Sequence, residues 1–268
     1  MTLDTARARC HVEQVMGTVV SIDIRDPEVP EGCVAEALRL LHDADERFSP
    51  FLPESEVSRL ERGDLRLEDC SADLHAILAA CEELRAASGG AFDVRYAGRL
   101  DPCGYVKGWA VDRAAAALWG AGLGNAAVNV GGDCVVRGGP APGRPWRVGI
   151  RHPELPDRTA AVVALRGGAI ATSGLYERGG HIVDPSGRGR TGELLSISVL
   201  APTLAQADGV ATAALVLGRA GVDWALAQPG CEVVALTAAR RVLSSAGVEL
   251  IRSDPAAASS AGLRPGAR

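Results

Sequence analysis

The sequence predicts an α+β fold: mainly antiparallel strands with packed helices, arranged as two closely joined halves of one domain. Three observations carry this. Several stretches place apolar residues at helical spacing, and short β-like runs follow one another between Gly and Pro turns. Helices and strands also do not alternate strictly, which argues against a doubly wound parallel sheet. The chain has 268 residues and is 47% hydrophobic, enough to bury a large core.

In chain order, residues 12–24 contain Val-Val-Ser-Ile-Asp-Ile in near alternation and read as a strand. Residues 31–47 and 71–87 read as helices, the second with Ser71 as N-cap and ended by Gly89 and Gly90. Residues 107–119 suggest a third helix. The runs AAVNV, CVVRG, WRVGI, AVVAL and AIATS then suggest an antiparallel meander, and residues 196–201 add a strand. Residues 203–218 form a further helix, with Thr203 as N-cap. EVVALT and RRVLSSAG suggest a closing hairpin. Residues 1–252 are expected to form the domain. Residues 253–268, rich in Pro, Gly, Ser and Ala, are expected to be a disordered tail.

The net charge of −5 gives no reason to expect nucleic-acid binding, and it leaves any anionic ligand dependent on local groups or a cation. The seven cysteines are odd in number and lack CxxC spacing, which argues against a disulfide framework or a zinc knuckle. They read as reduced, mostly buried thiols. The first residues lack an apolar export segment, and no run approaches the length of a membrane span. The expectation is a soluble, cytoplasmic protein without membrane insertion.

Asp208 and Thr212 are four residues apart on a predicted helix and so share a face. A carboxylate and a hydroxyl are the hard oxygen ligands that Mg²⁺ prefers. From spacing alone, an exposed aspartate and a back-bonded core hydroxyl explain the pair as well. Asp101-Pro-Cys-Gly-Tyr-Val-Lys107 leads through a Gly-containing turn into a helix, whose free N–H groups and lysine suit a phosphate; an ordinary loop-to-helix junction is the plainer reading. His181, between Gly-Gly and Ile-Val-Asp-Pro, sits in a turn from which it can take a proton, or be satisfied by local backbone. Asn129-Val-Gly-Gly-Asp133 reads first as a tight turn, and Met16-Gly-Thr18 as core packing.

In order, these pieces resemble the ApbE family of FAD:protein FMN transferases. The matching elements are Met16-Gly-Thr18, Arg47-Phe-Ser-Pro-Phe51 with Ser55 to Arg59, Gly89-Gly-Ala-Phe-Asp93, and Asp101 through Asp112 with its Lys-Gly-x-Ala-Val-Asp core. Asn129 to Asp133, Ala171-Thr-Ser-Gly174, His181 to Pro185 and Asp208 to Thr212 complete the series. The resemblance implies a T-fold-like α+β architecture with FAD held between two halves. It implies that Met16, Phe51, Ala91, Phe92, Asp93, Asp101, Lys107 and Ile182 line the FAD site. Gly104, through its carbonyl, would join Asp208 and Thr212 around Mg²⁺, and His181 would assist the incoming hydroxyl. The implied reaction moves FMN from FAD to a Thr or Ser of a partner flavoprotein and releases AMP. A FAD pyrophosphatase giving FMN and AMP, or a FAD-binding protein without catalysis, are the alternatives. Two departures stand out. Only Val94 to Leu100 separate two elements that are farther apart in the family, which implies a FAD-site wall left open or covered by a partner. Phe51 stands where a hydroxylated aromatic is usual.

Overall fold

The computed structural model describes residues 9–96, 98–155, 157–174, 192–253 and 261–263. Fourteen strands and six helices are distinguished among them. The predicted first strand is a hairpin, β1 (Arg9–Val15) and β2 (Thr18–Ile24), closed by a two-residue turn at Met16 and Gly17. Both turn residues have positive φ, 54° and 65°, as a hairpin of the hand that matches strand twist requires. Methionine is not a turn former, so the run had read as continuous.

Three helices follow: α1 (Cys33–Phe48), α2 (Glu56–Arg62) and α3 (Ala72–Ala87). Ser55 and Ser71 cap α2 and α3 by accepting from Ser58 and Leu74 N–H. Arg47 ties the three together. Its guanidinium lies 3.1 Å from Asp43, 3.3 Å from Glu56 and 3.0 Å from Asp73. The segment between Asp93 and Asp101 makes a small hairpin of β3 (Arg95–Tyr96) and β4 (Arg99–Leu100). Helix α4 (Cys103–Gly120) then begins a full turn earlier than its apolar spacing suggested.

The predicted meander divides between two sheets. A nine-stranded sheet runs β1-β2-β5-β6-β9-β10-β11-β12-β14, with β5 (Ala126–Val130), β6 (Asp133–Arg137), β9 (Gly167–Gly174), β10 (Leu194–Ala201), β11 (Glu232–Thr237) and β12 (Val242–Ser245), and every pairing from β1 to β12 is antiparallel. Strands β7 (Trp146–Arg151), β8 (Thr159–Leu165) and β13 (Leu250–Ser253) form a second, three-stranded sheet. Within the stretch expected to lack structure, residues 261–263 form β14, which pairs parallel with the otherwise open edge of β12.

The molecule is thus layered. Helix α5 (Leu204–Leu217) lies against β9 and β10 and is buried nearly all round, because α4 covers its other side and α1 packs on α4. Helix α6 (Arg219–Leu226) follows directly. The opposite face of the large sheet buries Val136, Ile170 and Val234 against Trp146, Ile150 and Val163 of the small one. Close approach of α4 and α5 depends on Gly108, where a Cβ would come within 2.6 Å of Ala205 backbone atoms. No described helix is long and apolar enough to cross a membrane.

Candidate active site

A cavity of about 990 Å³ opens beside α4 and α5, under the tip of the β1–β2 hairpin. Its floor is an ion cluster. Lys107, one turn into α4, places its ammonium 2.5 Å from Asp133 Oδ2 and 3.2 Å from Asp208 Oδ2. Asp133 begins β6 and Asp208 lies on α5; they are 5% and 7% exposed. Burial alone would push the lysine pKa down. The charges of Asp208 and Asp133 outweigh it and hold the ammonium protonated, above the usual lysine range. Asp133 Oδ1 also accepts the Thr172 N–H at 2.9 Å, which fixes the carboxylate to β9.

Thr212 stands one turn beyond Asp208, with its hydroxyl 3.4 Å from that of Ser173. Helix α5 is aimed by its own N-terminus. Thr203 accepts the Gln206 N–H, and Asp112 of α4 accepts from Leu204 and Ala205 N–H at 2.8 and 2.9 Å. Asp112 closes the Lys-Gly-x-Ala-Val-Asp motif at one end while Lys107 opens it at the other, so one helix both supplies the cation and fixes the carboxylate it faces. Opposite, Gly131 has φ 57° and a Cβ there would meet Thr18 Oγ1 at 2.9 Å, so this turn needs glycine.

The walls come from distant parts of the chain. Met16 and Gly17 overhang the rim, and the Met16 N–H donates to Asp45 Oδ2 on α1 at 3.0 Å. Phe51 is at the mouth, 73% exposed. Ala91, Phe92, Asp93, Asp101 and Gly104 line the side formed by the loop into α4. Cys103 lies among them; burial and the charge of Asp101 drive its thiol pKa well up. The short 94–100 segment does not leave this side bare, because Val94 and Arg99 line it.

The structure therefore gathers Met16, Phe51, Ala91, Phe92, Asp93, Asp101, Gly104, Lys107, Asp208 and Thr212 around one space. His181 and Ile182 lie outside the described residues. Asp45, Asp112 and Asp133 carry weight that sequence reasoning did not assign. Asp112 and Asp133 were visible inside motifs, but their partners are 92 and 26 residues away. A second hollow of about 470 Å³, between Leu165 and Gly230, has no titratable side chain in its lining.

The fold is shared with solved structures. The flavin transferase ApbE of Vibrio cholerae superposes with a TM-score of 0.76 at 22% identity, over 93% of this chain and 98% of that one. The ApbE protein of Thermotoga maritima gives 0.75 at 22% identity, over 92% and 97%. A sequence model described as the ApbE family matches residues 16–98 and 95–235, and the chain belongs to that family. Among curated relatives, the FAD:protein FMN transferase of Klebsiella pneumoniae (strain 342) is 35% identical over 137 residues, covering 47% of this chain and 39% of that protein. That of Rhodobacter capsulatus is 41% identical over 134 residues, covering 47% and 25%. The matched stretch spans well under half the length of either relative.

Proposed function

We propose that this protein transfers FMN from FAD to a Thr or Ser hydroxyl of a partner flavoprotein and releases AMP, using Mg²⁺. The observation that carries the reading is the convergence of ten family-pattern residues on one cavity, whose 990 Å³ is at the upper end of the range for small-molecule sites. The acceptor oxygen forms a bond to the FMN phosphorus, the bond from that phosphorus to the AMP oxygen breaks, and the hydroxyl proton leaves to a base. His181 is assigned that last task from its place in the family pattern.

The donor set suits a hard divalent cation. Asp208 offers a carboxylate, Thr212 a hydroxyl and Gly104 a carbonyl, all oxygen, and a Mg²⁺ site of this kind leaves room for water and phosphate. Asp208 already faces a cation, the Lys107 ammonium. When bound, Mg²⁺ would neutralise phosphate charge as the leaving group departs. Lys107, clamped by Asp133, faces the Asp208 carboxylate at 3.2 Å and orients it. Phe51 and Met16 offer apolar surface to the flavin ring at the rim.

The test is to incubate the protein with FAD, Mg²⁺ and a candidate acceptor flavoprotein. The expected result is a gain of one FMN on the acceptor by intact mass, with AMP in equal amount. AMP released equally fast without acceptor would assign hydrolysis instead. Asp208→Ala is expected to abolish Mg²⁺-dependent turnover while far-UV circular dichroism stays native, because Asp133 still neutralises Lys107. Wild-type turnover in that variant would place the metal elsewhere.

A further inference from the structure

The hairpin of β3 and β4 supplies a cavity group that the family pattern does not contain. Its base is fixed: Asp101 N–H donates to the Val94 carbonyl at 2.8 Å, and Arg95 N–H to Asp93 Oδ1 at 2.7 Å. Leu100 is 2% exposed and packs into the main core. Successive side chains of a strand point to opposite faces, and Arg99, next to Leu100, lines the cavity.

The charge pattern of that cavity gives Arg99 its meaning. Asp45, Asp93, Asp101 and Asp208 line the same space, with Lys107, Arg99 and Arg151 as its cations, so the lining is net negative toward a diphosphate. Lys107 does little to offset it, because its ammonium is already shared by Asp133 and Asp208. Arg99 is placed differently. Its side chain is 69% exposed, and its Nε is 4.0 Å from Glu61 Oε1, beyond hydrogen-bond reach. It can turn onto a ligand without breaking a short ion pair, and a guanidinium matches phosphate oxygens two at a time.

We propose that Arg99 grips the phosphate-bearing half of FAD and sets the preference for a dinucleotide over a phosphate-free flavin. This rests on the FAD reading above. The shortened wall thus exchanges a longer stretch of chain for one cation.

The experiment titrates wild type, Arg99→Gln and Arg99→Lys with FAD, ADP and riboflavin. Flavin fluorescence reports FAD and riboflavin, and ADP is followed by competition against FAD. Arg99→Gln should weaken FAD and ADP together by about tenfold, the scale of one charge-assisted hydrogen bond. Riboflavin should change less than about twofold, and Arg99→Lys should recover part of the loss, as a point charge can. Equal FAD affinity in wild type and Arg99→Gln overturns the assignment, as does an equal loss for riboflavin. Wild type that binds riboflavin but not FAD overturns the FAD reading, and the role of Arg99 with it. The exposed position of Arg99 predicts an unchanged melting temperature in both variants, so a loss of affinity is not a loss of fold.

Discussion

Asp45 shows how a residue far from any motif core can shape a site. Met16 holds a left-handed φ of 54°, which costs a residue with a Cβ about 1–2 kcal/mol. The carboxylate of Asp45 accepts the Met16 N–H at 3.0 Å and both residues line the cavity, so the hydrogen bond holds the strained tip over the rim. Asp45→Ala is expected to release the turn and lower kcat/KM for the proposed FMN transfer by about tenfold, the rate equivalent of that strain. Asp45→Asn keeps an acceptor oxygen and should retain most activity. Equal losses in both variants would mean that the charge of Asp45 matters and its bond to Met16 does not. Asp208, Thr212, Lys107 and Gly104 were legible as candidates because each sits inside a short pattern of fixed spacing, and all four line the cavity. Asp45 was not, because its bond spans 29 residues and joins a helix to a hairpin turn that the alternation of residues 12–24 concealed.

At the level of elements, the bond from α4 to the start of α5 decides where the chemistry points. Asp112 takes the N–H groups of both Leu204 and Ala205, two of the donors that a helix leaves unsatisfied at its start. Asp112→Ala strands them beside a buried helix, and the expected cost is about 1–3 kcal/mol. Urea denaturation should show a lower midpoint with an unchanged slope. Because α5 carries Asp208 and Thr212, the proposed Mg²⁺-dependent turnover should fall in the same variant, and a stable but inactive protein would show that α5 has shifted without unfolding. The helices α1, α3 and α5 were legible in apolar spacing and in the caps Ser71 and Thr203. Helices α2 and α6 were not, at seven and eight residues too short to show a period. Strands β5 to β12 were also legible, but their division into two sheets was not. Alternation marks which side of a strand is buried and does not say which sheet buries it, so β7 and β8 read as part of one meander with their neighbours.

Taken whole, the molecule is a sheet covered on one face by helices and on the other by a smaller sheet, with the cavity on the helical side. That layering sorts the seven thiols by position. Cys10 is exposed on the edge strand, Cys103 is partly exposed in the cavity lining, and Cys33, Cys70, Cys81, Cys134 and Cys231 are buried. Burial favours the neutral thiol and so raises its pKa, to about 12 for Cys81 and Cys134 and to about 11 for Cys231. At pH 8 a thiol with a pKa near 12 is thiolate in only about one molecule in ten thousand, and the thiolate is the reactive form. A disulfide reagent added to native protein at pH 8 should therefore modify Cys10 at once. Cys103 should follow slowly, since burial and the charge of Asp101 raise its pKa while the cavity still admits the reagent. The five buried thiols should react only as the protein unfolds, and guanidinium should expose all seven. FAD should protect Cys103 and leave the rate at Cys10 unchanged, because only the first lies in the space the dinucleotide would fill. Peptide mapping of the labelled protein reads each site separately. Rapid native labelling of Cys81 or Cys134 would contradict the layered packing, and FAD protection of Cys10 with none at Cys103 would put the dinucleotide outside this cavity.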